Sequence, residues 1–143
     1  EIEIQARYEI MLENYIMKVQ IEARVMGDLA LNHIIPTAII YQNKLIQNAN
    51  GLKGLGINAD DIIETIEELS KHVSIIKKLT NEMVGERKKV NKMEDSRARA
   101  IAYCDQVKAK YFDQIRYSVD KLELLVDDED WPLVKYRELL FLR

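Results

Sequence analysis

Apolar residues recur at helical spacing along most of the chain, with polar residues between them. From about residue 4 to 50, Tyr8, Leu12, Tyr15, Val19, Met26 and Ala30 fall on one line. Ile10, Met17, Ile21 and Val25 form a second line, which predicts a helix covered on more than one side. From about 58 to 91, Ile62, Ile66, Leu69, Val73, Ile76, Thr80, Met83, Arg87 and Val90 alternate spacings of four and three. That is a heptad seam facing partner helices. From about 96 to 127, Ile101, Cys104, Phe112, Ile115, Val119, Leu122 and Val126 make a third stripe. The pattern predicts an all-α fold, an elongated antiparallel bundle of three long helices in one domain, with a short tail helix over 133–141.

Breaks in the pattern place the turns. Pro36 interrupts "DLALNHIIPTAIIYQ"; it has no backbone N–H, and its ring crowds the carbonyl of Asn32. Ile35 before it cannot cap a fresh helix, so the reading is a first helix kinked at Pro36 rather than ended there. Asn50–Gly51 reads as a C-terminal cap. The adjoining "GLKGLG" matches neither glycine-rich phosphate motif and reads as an inter-helix turn. Asn58 can cap the second helix, with Asp60 and Asp61 at its positive end. The turn at Asn91–Ser96 contains no glycine or proline, and Asp95 or Ser96 can cap the third helix. Asp127–Asp130 places acid at a helix C-terminus, the unfavourable end.

Composition narrows the class. In 143 residues there are only five glycines and two prolines, fewer than a strand-rich fold needs for its turns. Hydrophobic residues make up 48% and charged residues 31%, a globular balance. A net charge of −3 disfavours nucleic acid as a partner. No apolar run is long enough to span a membrane. The single Cys104 permits no internal disulfide and suits a reducing, cytoplasmic setting. The chain opens on Glu1 rather than Met and already in helical pattern, which suggests excision from a longer protein.

Candidate chemistry is sparse. His33 reads as a half-buried side chain beside the kink, and no histidine has a partner at metal-ligand spacing. His72, with Lys71, Ser74, Lys77 and Lys78 nearby, raises the alternative of a phosphoacceptor on a stand-alone signalling bundle. A self-association module is another alternative. Cys104 on its stripe reads as a buried inert thiol. Glu64, Glu67 and Glu68, and the run "ERKKVNK", read as solvated faces. Met17, Met26 and Met83 read as core fillers. No catalytic, cofactor-binding or metal-binding residue is assigned. The tail "WPLVKYRELLFLR" is too apolar for a solvated end and should dock on something. Trp131, Tyr136, Leu140 and Phe141, together with Pro36, are the candidate contact residues.

Two stretches carry a family resemblance. "ENYIMKVQIEARVMGDLALNHIIPTAIIYQNKLI" (Glu13–Ile46) and "DKLELLVDDEDWPLVKYRELLF" (Asp120–Phe141) resemble the C-terminal region of type III, large-subunit bacterial glutamine synthetase. Their order and spacing fit across essentially the whole chain; Val134 departs from the pattern where a second proline is expected. The resemblance implies a parent that joins glutamate to ammonia with ATP and magnesium-type ions, built as hexameric rings with active sites between subunits. The metal-binding and substrate-binding residues of that parent lie in upstream segments. The resemblance therefore implies an accessory helical domain without catalysis of its own, whose partners are the catalytic domain and neighbouring subunits.

Overall fold

The structure, a computed structural model, describes residues 1–135 and Leu139. Tyr136, Leu140 and Phe141, and with them most of the tail helix expected over 133–141, lie outside the described residues. The rest is all-helical and forms three rods. The first is α1 (Ile2–Leu29), a π-helical turn (Ala30–Ile34) and α2 (Ile35–Gly54). The second is α3 (Asp60–Val90). The third is α4 (Ser96–Ala102), a π-helical stretch (Tyr103–Phe112) and α5 (Asp113–Leu125).

The first rod passes Pro36 without a break. In a regular α-helix the proline ring would collide with the Asn32 carbonyl. Here the turn just before it is widened, and the Ile35 N–H reaches back five residues to the Ala30 carbonyl. The rod then continues beyond Asn50–Gly51, where the sequence reading ended it, to Gly54. The stop is Gly56, whose φ of +73° is left-handed. The Gly56 N–H bonds the Lys53 carbonyl (3.0 Å) and the Ile57 N–H the Leu52 carbonyl (2.9 Å), the paired closure of a Schellman end. Gly51 makes no such turn.

Side chains set the next two starts. The Asp60 N–H donates to Asn58 Oδ1 at 2.7 Å, and the Ala98 N–H donates to Asp95 Oδ2 at 2.7 Å. Long-range bonds give the rod directions. Gln20 donates to Asn91 (3.4 Å) and Gln42 to the Ile66 carbonyl (3.1 Å), so α3 runs against the first rod. Tyr103 donates to Asn91, and the His72 and Tyr117 rings meet edge to face, so the third rod runs against α3. Ser96 and Arg99 donate to Glu13 at one end (2.8 and 2.9 Å), and Lys44 donates to Asp130 at the other. The first and third rods are therefore parallel, in an up–down–up order.

Two apolar clusters lie along α3. One joins Val19 and Ala23 to Met83, Val90, Tyr103 and Val107. The other joins Ile34 and Ala38 to Leu69, Ile76, Leu122 and Trp131. Between them the first rod presents Gly27, where a Cβ would come within 3.7 Å of Thr80 Cγ2. Small residues at Ala23, Gly27, Ala30 and Ala38 let the two backbones approach closely.

The buried faces differ from the expected stripes in three places. On α3, His72 is buried and Val73 is only partly so. On the first rod, the line Ile10, Met17, Ile21 and Val25 is exposed, so this helix is covered on one side only. On the third rod, Ile101 and Cys104 are exposed, while Tyr103, Val107 and Tyr111 are in the core. The π-helical stretch explains the last case. Its wider turn keeps residues four apart on one face, so Tyr103, Val107, Tyr111 and Ile115 all point inward. This register gives a direct test by urea denaturation. Val107→Ala should cost about 2 kcal/mol through lost burial and the cavity left behind. Ile101→Ala should change stability by about 0.5 kcal/mol or less.

Candidate interaction surface

The chain after α5 is tied down by two lysines. Lys135 Nζ donates to the Val126 carbonyl (2.9 Å) and to Asp128 Oδ1 (2.6 Å), and it lies 6.0 Å from the Trp131 ring centroid. Lys44 of α2 holds Asp130. The acidic run Asp127–Asp130 is thus matched by cations from outside its own helix. It fixes Trp131, whose exposure is 7%, against Leu122 and Val126. Of the candidate contact residues, Trp131 is buried in this way and Pro36 is exposed on the first rod. The other three lie outside the described residues.

Trp131 also closes one end of an open groove of about 960 Å³ between the parallel first and third rods. Ile21, Val25 and Leu29 form one wall, Phe112 and Val119 the other, and Leu133 joins Trp131 at the end. The indole Nε1 is buried without a hydrogen-bond partner. Cys104 lines the same groove and is exposed, not the inert core thiol its stripe suggested. A hydrogen bond with Cys104, reinforced by burial, pushes the Tyr15 hydroxyl up to about 12. The exposed line Ile10, Met17, Ile21 and Val25 runs along α1 into the groove; each is 51–60% exposed. The sequence showed the apolar line itself, but gave no sign that the third rod leaves it uncovered.

The histidines occupy different settings. His33 is exposed, 3.9 Å from Asp28, rather than half-buried. His72 is 6% exposed, its Nδ1 has no partner, and Nε2 is 3.9 Å from Glu68. His72 also lines a second, open pocket of about 530 Å³ with Lys71, Tyr117 and Lys121. Among the described residues, no three His, Cys, Asp or Glu side chains converge to hold a metal ion. Among the same residues, no helix is long and apolar enough to cross a membrane.

Comparison with known proteins agrees with the first rod. The family described as "Glutamine synthetase C-terminal domain" matches residues 1–53, nearly the whole of that rod. Glutamine synthetase from Bacteroides fragilis (strain YCH46) is 46% identical over 147 residues, covering 99% of this chain. The chain is related to the glutamine synthetases. Type-3 glutamine synthetase from Dictyostelium discoideum is 25% identical over 99% of the chain. The enzyme from Butyrivibrio fibrisolvens is 26% identical over 97%. In each case the chain spans about one fifth (20%) of the relative's length.

The His72 environment sets a pH dependence. Burial lowers its proton affinity below the usual histidine value; Lys71 and Lys121 act in the same direction, and Glu68 opposes them. With the folded value depressed, the unfolded chain binds a proton first as pH falls below about 6.5. The stability contributed by neutral His72 is thus complete above that pH and lost as pH falls toward the folded value. Urea midpoints measured from pH 8 to 5 should decline in this window, and His72→Gln should remove that part of the slope.

Proposed function

We propose that this chain is the C-terminal helical region of a type III glutamine synthetase. In this reading it is an accessory domain that packs against the catalytic domain and neighbouring subunits and carries out no chemistry itself. The observation that carries the proposal is the 46% identity to the Bacteroides fragilis enzyme across 99% of this chain. The parent would be a cytoplasmic ligase that joins glutamate to ammonia using ATP and magnesium, with its reacting groups in the remaining four fifths of the polypeptide.

The physical character of the chain supports a structural role. Its core is shared among three rods, yet α1 keeps an apolar line in solvent. The widened turn before Pro36 gives the first rod a place to bend, so that α1 and α2 can follow different surfaces of a larger body. The N-terminal half of α1 is exposed on nearly all sides. An isolated helix of that length is marginal in water, so it gains from packing against a partner.

The test is a full-length polypeptide from which this 143-residue region has been removed. The expected result is loss of the native oligomer in sedimentation, with a fall in thermal stability and glutamine-forming activity. Unchanged assembly, stability and turnover would overturn the proposal.

A further inference from the structure

The end of the bundle at the α3–α4 turn is basic, in a chain whose net charge is −3. From 87 to 99 the cations are Arg87, Lys88, Lys89, Lys92, Arg97 and Arg99, against only Glu94 and Asp95. Two neighbouring acids are already used. Glu86 accepts from Lys89 at 2.7 Å, and Glu13 accepts from Arg99 at 2.9 Å.

Helix register sets two of the cations at this end against each other. α1 and α3 run antiparallel. Gln20 meets Asn91, and one heptad further along Gly27 lies against Val84, where a Cβ would come within 3.9 Å of Cγ2. Arg24 is four residues from Gln20 and three from Gly27, and Arg87 is four from Asn91 and three from Val84. Residues at these spacings share a helix face, so Arg24 and Arg87 stand opposite one another across the seam. Among the described residues neither guanidinium has an ion-pair or hydrogen-bond partner. The Tyr103 hydroxyl feels both charges: burial raises its proton affinity, and Arg87 and Arg24 act against that rise. Arg24 is exposed and Arg87 half-buried, so the pair is reachable from solvent. Like charges facing across a seam repel, and an anion between them replaces the repulsion with charge-assisted hydrogen bonds. A lone carboxylate carries a single charge and would leave one guanidinium unmatched. A phosphate dianion matches both charges and has oxygens enough for both donor forks.

We propose that Arg24 and Arg87 form a two-helix clamp for one inorganic phosphate, held across the seam between α1 and α3. Occupancy would tie the first rod to α3 one turn inside the Asn91 contact. The site does not depend on the accessory role proposed above. Its test is arginine labelling of the full-length polypeptide with phenylglyoxal, read by peptide mass analysis, in potassium phosphate and in potassium chloride of equal ionic strength. Saturating phosphate should slow labelling of Arg24 and Arg87 by about tenfold. The exposed Arg7 and Arg97 should label at the same rate in both salts. Arg24→Gln, a change at an exposed position, should abolish phosphate protection of Arg87 while helical circular dichroism stays constant. Equal labelling of the pair in both salts would overturn the proposal, as would equal slowing of all four arginines. Shielding of the pair in chloride that phosphate does not increase would overturn it in favour of a carboxylate from elsewhere in the polypeptide.

Discussion

α3 is the strut to which the other two rods are fitted. It is a single regular helix whose inward line, Leu69, His72, Ile76, Thr80, Met83 and Val90, touches both clusters. The first and third rods approach it from two sides, and neither is regular throughout. Each widens locally instead, at Ala30–Ile34 and at Tyr103–Phe112. Both adjustments preserve helical hydrogen bonding while moving side chains around the axis, so the rods stay continuous.

Much of the architecture was legible in the chain. The heptad seam of α3 identified Leu69, Ile76, Thr80, Met83 and Val90 of its buried face, because a regular helix converts spacing into direction, but it missed His72 and placed the partly buried Val73 there instead. Asn58 and Asp95 marked real helix starts. The failures have a common origin in the backbone. Spacing arguments assume 3.6 residues per turn, so the π-helical stretch moved Ile101 and Cys104 outward and brought Tyr103, Val107 and Tyr111 inward. Gly51 looked like the helix end, but the left-handed position is Gly56, which only the backbone angles reveal.

The interaction surface was half legible. A second apolar line on α1 was visible, but its exposure depends on where the third rod sits, a long-range fact. The lysine that anchors Asp130 was likewise invisible, since Lys44 is 86 residues from its partner. The groove arises from the same asymmetry. The two flanking rods cover α3 well but leave a gap between themselves on their outer side.

One atom joins all three rods: Asn91 Oδ1 accepts from Gln20 of the first and from Tyr103 of the third, at the end of α3. Only the oxygen of that amide is used, and the nitrogen is not needed for either bond. Losing that single oxygen, as in Asn91→Ala, would release both flanking rods from the end of α3 at one point.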